Sequence, residues 1–277
     1  MKQNFLLTVL FCQSLLCSGQ GVVVRPSSQE NLNSNMTKIS DIRLITDFSQ
    51  LRIGDWVTSE GKFSYEKIPG INYAGVIFSL SPTKLDAQKG WTHGYIVALE
   101  DAKRGRCLWG PKSDVQEIPN MDYPDMHNLI NDRNGYSYSN CSSIKASSNN
   151  AFSYARSYPK RLPSSFSGWF LPSVGQWIDI IRNLGKSNVQ EVLRNQSNGY
   201  TIAQFDVSYA LANLKQYGFK SDDYSSYWTA NECIYVKGYK QEGWVIWLTD
   251  NYDSSSSYLY TLVKETTRMG VRAIAAF

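Results

Sequence analysis

Residues 173–184, SVGQWIDIIRNL, constrain this chain more than any other stretch. Ser173 and Gln176 form an S-x-x-Q capping box, and Val174, Trp177, Ile178, Ile181 and Leu184 fall on one face of the helix that follows. Gly175 weakens that helix by roughly 1 kcal/mol relative to Ala, too little to overturn it. Pro172 ends the preceding segment, and Trp169 is expected to pack inside. A helix with one apolar stripe needs a sheet or another helix to cover it, and the sequence supplies strands on both sides. Leu51–Ser64 (LRIGDWVTSEGKFS) has the form of a hairpin with Glu60-Gly61 at the turn. Ala74–Leu80 (AGVIFSL) and Gly94–Leu99 (GYIVAL) are short, continuous apolar runs, as expected of buried strands. Downstream, Tyr227–Ala230, Trp244–Leu248, Tyr258–Val263 and Val271–Phe277 read as further strands.

Two more helices accompany the first. Asn149–Tyr158 places Phe152, Ala155 and Arg156 at helical spacing. Asp206–Tyr217 has Asp206 as its N-cap, Val207, Leu211 and Leu214 as its stripe and Gly218 as its stop. The order of strands, helices and strands again implies an α+β domain with antiparallel sheets rather than a wound parallel one. Between Asp101 and Ser148 the sequence has no clear period, and it reads as a long loop, either functional or wrapped over the core.

The first 19 residues have the pattern of an export signal: Lys2, the apolar run Phe5–Phe11, and small residues at Cys17-Ser18-Gly19. Acylation at Cys17 is the rival reading, disfavoured by Leu15 and Leu16 directly before it. Residues 20–45, rich in Ser and Asn, read as a linker or N-terminal arm, and residues 46–277 as the domain. No later run approaches the ~20 apolar residues of a spanning helix, so no transmembrane segment is expected.

Chemistry is harder to find than scaffold. The charge of +4 is spread along 277 residues and forms no basic block, which argues against nucleic acid as a partner. After signal removal Cys107, Cys141 and Cys233 remain, enough for at most one disulfide, and with only His93 and His127 a zinc site is close to excluded. His93 reads as an edge or core histidine. G-x-S-x-G, the P-loop and a helix-opening GxGxxG are absent, and Ser173 is better explained as a cap than as a nucleophile. Glu100-Asp101 and Asp222-Asp223 read as solvated turns. Asp250, Asn251 and Asp253 are hard oxygen donors close together, but they lack the order of a calcium loop and read first as a polar turn. No cofactor and no metal are therefore expected, and no catalytic residue is assigned.

The C-terminal third carries three Tyr/Ser/Asn/Asp-rich stretches, SDDYSSYW, YVKGYKQEG and TDNYDSSSSYLY. Such mixtures give rigid aromatic area with adaptable hydrogen bonding, which suits a contact surface. The candidate ligand-binding residues are Tyr224, Trp228, Glu232, Asp250, Asn251, Tyr252, Asp253, Tyr258 and Tyr260. Core packing is the alternative for Trp228, and the preferred reading for Trp244 and Trp247.

Taken in order, GWFLPSVGQW, YWTANE (227–232) and VRAIAAF (271–277), with the upstream GDWVTSEGKFS, AGVIFSL and HGYIVALED, resemble the C-type lectin-like fold. The resemblance is greatest to the bacterial major paralogous domain family, related in fold to formylglycine-generating, sulfatase-modifying proteins. It covers about residues 50–277. It implies paired terminal strands, helices flanking a sheet, ligand-carrying loops on one side, and a bacterial surface or secreted setting. The oxidase members' reactive cysteine pair has no match here, nor do the E/Q-P-N/D and W-N-D steps of calcium-dependent lectins. The expected function is an exported, non-enzymatic ligand-binding or adhesion module for a glycan or surface protein. A structural or accessory subunit of a surface appendage is the alternative, and a sulfatase-modifying-type enzyme a third. The sequence leaves oligomeric state open.

Overall fold

The computed structural model describes residues 23–25, 43–45, 47–103, 105–121, 126–187, 192–195, 201–205, 210–219, 226–234, 241–248 and 257–277. The expected signal segment, the cap at Asp206, and Tyr224, Asp250, Asn251, Tyr252 and Asp253 lie outside these residues.

The first half of the chain forms one sheet. Two segments of the stretch expected as a linker enter it: β1 (Val23–Arg25) pairs antiparallel with β2 (Arg43–Ile45) and parallel with β4 (Phe63–Ser64). The expected hairpin is present. Strand β3 (Trp56–Thr58) pairs with β4, Val57 opposite Phe63. The two continuous apolar runs are β5 (Tyr73–Ser79) and β6 (Tyr95–Asp101), paired antiparallel in the sheet interior. Every residue of β5 is buried, which explains why its sequence is unbroken rather than alternating. Short helix α1 (Lys84–Gln88) connects them, with the Thr83 hydroxyl capping Asp86 N–H at 3.1 Å.

The stretch 101–148 is not a bare loop. It contains α2 (Met126–Asn131), α3 (Gly135–Ser139) and α4 (Ser142–Lys145). These are only four to six residues long, so no stripe is long enough to show as periodicity. Packing holds them: Leu129, Ile130, Tyr138 and Ile144 are buried. Next comes α5 (Ala151–Arg156), capped by Asn150, whose Oδ1 accepts from Ser153 N–H at 3.0 Å.

Helix α6 (Val174–Asn183) is the expected one, and it is buried further round than its stripe implies. Gly175 and Gln176 are buried with Val174, Trp177, Ile178, Ile180 and Ile181. Gly175 is a close-approach residue: its N–H donates to Asp132 O at 3.0 Å, and a Cβ there would stand 2.3 Å from that oxygen. Gln176 Oε1 accepts from Ser173 N–H at 2.9 Å, and the Ser173 hydroxyl donates to Asp132 O at 2.6 Å. The cap therefore also ties the helix to the preceding segment.

The second sheet has the order β7-β8-β11-β10-β9. Its outer pair, β7 (Val192–Asn195) and β8 (Thr201–Phe205), was not expected as strands. Helix α7 (Ala210–Leu214) follows, shorter than expected within the described residues, and Gly218 closes it at φ 83°. A Cβ at Gly218 would lie 1.9 Å from Leu99 O, so the stop is also a contact with β6. Strands β9 (Ser226–Ile234), β10 (Gln241–Trp247) and β11 (Ser257–Val263) form an antiparallel set longer at its edges than the sequence suggests. The last strand, β12 (Arg272–Ala276), returns to the first sheet beside β6. It does not pair with the opening strands, as the resemblance implied; β6 and β5 stand between them.

The sheets meet where Trp228 N–H donates to Gly270 O at 3.1 Å and Phe170 bridges Ile274. Two apolar cores result. One gathers Val76, Phe78, Tyr95 and Val97 with α6 and Trp244; the other gathers Val57, Phe63, Ala98, Trp109, Phe152, Trp169 and Trp228. Each large aromatic there removes on the order of 150–250 Å² from water. Arg272 is buried between the sheets, its guanidinium 2.9 Å from Asp101 and 4.2 Å above the Phe219 ring. Glu100-Asp101 is thus the end of a strand with a buried cation, not a solvated turn.

Candidate functional site

The C-terminal sheet brings YWTANE to the centre of the molecule, with side chains alternating between the two cores. Tyr227 and Cys233 belong to the core under α6, and Trp228 and Ala230 to the other. Asn231, on the helix side, accepts from Val174 N–H at 2.8 Å and donates to the Asp132 carboxylate at 2.5 Å. It satisfies a donor at the N-terminus of α6 that would otherwise be buried and empty.

On the opposite side, Glu232 is fully buried against fully buried Lys264, which follows β11. The ammonium group lies against Glu232 Oε1 and donates to Ser113 O at 3.0 Å. Glu232 Oε2 accepts from Val115 N–H at 3.1 Å. The Trp109 ring covers the pair, its centroid 4.5 Å from Lys264 Nζ, and its own N–H is spent on Thr229 O at 2.8 Å. Burial raises the Glu232 pKa and lowers that of Lys264. Sequence reasoning missed Lys264 altogether. A single Lys after a strand has no local signature; only the pairing of β10 with both neighbours brings it to Glu232.

These placements correct two candidate contact residues. Trp228 is fully buried and its indole N–H donates to Cys107 O at 2.8 Å, so it presents no surface to a ligand. Glu232 is equally buried and engaged. Both sit on a strand covered on both faces, where alternation selects a core rather than solvent. Tyr260 is half-buried and packs against the core containing Trp228. Tyr258 pairs through its backbone with Trp247 and Gln204. The Trp residues of β10 divide: Trp244 is buried as expected, whereas Trp247 is 38% exposed at the strand's end.

Cys107, Cys141 and Cys233 form no disulfide. Burial pushes the Cys107 thiol up to about 11, which makes it a poor nucleophile at neutral pH. Among the described residues no group of three or more His, Cys, Asp or Glu side chains could hold a metal ion, and no helix is long and apolar enough to cross a membrane.

An open cleft of roughly 620 Å³ lies on the first half of the chain. Asp47, Phe48, Ser49, Leu51, Leu80, Thr92 and His93 line it. The Phe48 and His93 rings stack at 4.0 Å and 7°. Burial lowers the His93 pKa, so its ring is held toward the neutral form. This gives a flat aromatic wall beside the Asp47 carboxylate and the Ser49 and Thr92 hydroxyls.

No protein-family model matches the sequence, and no curated protein matches it. Among solved structures, the fold is similar to that of a fimbrial protein from Bacteroides ovatus ATCC 8483, with a TM-score of 0.53 at 14% sequence identity. The match covers 82% of this chain and 49% of the fimbrial one, so it spans about half of that protein's length.

Proposed function

We propose that the chain is an exported, non-enzymatic subunit or accessory of a surface appendage, acting through protein contacts with its assembly partners. The fold shared with a fimbrial protein over 82% of the chain is the observation that carries this reading. It favours the structural alternative over the adhesion module that the loops first suggest, since two of the expected ligand contacts are interior. The finer assignment, a C-type lectin-like domain of the major paralogous type, rests on the order of GWFLPSVGQW, YWTANE and VRAIAAF. The burial of these stretches, Gly168 apart, supports their role as scaffold. Immunogold labelling of producing cells, with sheared filaments as a second fraction, tests the proposal. Label along filaments is expected; label confined to the cell interior, or a strictly monomeric mature protein that binds glycans, sinks it.

A second reading, binding of a small saccharide, is favoured by the Phe48–His93 wall of the open cleft. A glycan array with and without chelator is the measurement. Binding that is lost in Phe48→Ala supports it, and silence under both conditions counts against it.

A further inference from the structure

We propose that Lys264 and Glu232 are joined by an intramolecular amide bond between Lys264 Nζ and Glu232 Cδ, formed spontaneously on folding. The structure assembles every part this condensation needs. The amine lies against the carboxyl group, both residues have no exposed side-chain surface, and the Trp109 ring closes the site from solvent. Glu232 Oε2 is held by Val115 N–H at 3.1 Å, a donor placed for the oxygen that carries charge in a tetrahedral intermediate. Lys264 is anchored through Ser113 O at 3.0 Å, which fixes the direction of its nitrogen. Holding two reacting groups this way is equivalent to effective concentrations of about 10⁵–10⁸ M in well-oriented systems.

The step is balanced without any further reagent. The Lys264 amine, as –NH₂, attacks the Cδ of the Glu232 carboxyl, as –COOH. The C–N bond forms, the C–Oε1 bond breaks, and Oε1 leaves with its own proton and one from nitrogen as water. Oε2 remains as the amide oxygen on Val115 N–H. The neutral forms that react are those burial favours, because the same desolvation raises the acid's pKa and lowers the amine's. In water an amine and an acid remain as ions; in a dry site the ions are what becomes costly, and the neutral amide replaces them.

The position also gives the bond a mechanical meaning. Glu232 lies on β9 and Lys264 just beyond β11, the two strands that flank β10. A covalent link between them spans β10, so β9 and β11 could not be pulled apart.

Trypsin digestion of the reduced, denatured full chain followed by mass spectrometry tests the proposal. The expected product joins residues 221–237 to residues 241–268, weighs one water less than the two together, and is uncut after Lys264. Recovery of 221–237 alone, together with a peptide ending at Lys264, overturns it. In Lys264→Arg, which keeps the charge but lacks the amine, the joined product is expected to be lost, and its persistence would refute the assignment. Because the native chain alone decides the matter, a Lys264→Arg variant that fails to fold does not weaken the test.

Discussion

Neighbouring residues of β9 bury polar side chains into opposite cores. Asn231 faces the start of α6, where it is neutral and shares its hydrogen bonds between a backbone N–H and the Asp132 carboxylate. Glu232 faces the other core, where it meets an amine, one backbone N–H and an aromatic ring. The first arrangement spreads its cost over the local cap of Ser173 and Gln176 and over Asp132, brought there by the fold. The second depends on one partner from a distant part of the chain. A buried amide network degrades by one hydrogen bond at a time, but a buried charge that loses its counter-ion keeps only the Val115 N–H to offset its burial.

Removing Lys264 should therefore produce the largest effect. Lys264→Met is expected to cost about 3–5 kcal/mol in urea unfolding, because Glu232 stays buried without its partner. Asn231→Ala should cost roughly 2–3 kcal/mol, leaving Val174 N–H and the Asp132 carboxylate short of one partner each. A loss as large as that of Lys264→Met would erase the contrast between the two faces. Gly175→Ala should come third, at about 1–3 kcal/mol, because the added methyl meets Asp132 O despite alanine's better helix propensity. A stabilised Gly175→Ala would show that the approach of α6 to Asp132 is looser than the structure has it.

The pH dependence is the smallest effect, and it separates the two chemical states of the Glu232 pair. Burial raises the Glu232 pKa above its ordinary 4.5, so the folded state holds that proton more tightly than the unfolded chain. Its contribution is complete below 4.5 and is lost as pH rises through the raised folded value. In Lys264→Met, stability should fall in that window by at most about 1.4 kcal/mol per pH unit. With the amide formed, the native protein has no such group to titrate and should lack this slope. Denaturant titrations of both proteins at several pH values make the comparison.

Much of the scaffold was legible. The capping box of α6, the hairpin of β3 and β4, the fully buried run of β5, the buried first half of β6, and the Gly218 stop all depend on residues within about ten positions of one another. The short helices between 126 and 145 were not, because a helix of four to six residues carries no readable period. The candidate site was legible only as composition. Tyr- and Ser-rich stretches marked the C-terminal third, but composition cannot distinguish a strand with one solvated face from one covered on both. Trp228 and Glu232 were placed outside for that reason, and Trp247 inside.

The sequence by itself determined the α+β class, the main helix and the order of strands, because caps, turns and apolar periods act over short distances along the chain. It also determined that Gly175 would stand in α6, but not why. Only the tertiary structure decided that β9 lies between two cores, that Asp132 reaches Gly175, and that Lys264 meets Glu232 across β10. Those outcomes depend on strand pairing between residues dozens of positions apart, and burial, which such pairing alone creates, turns an ordinary lysine and glutamate into reactive neighbours.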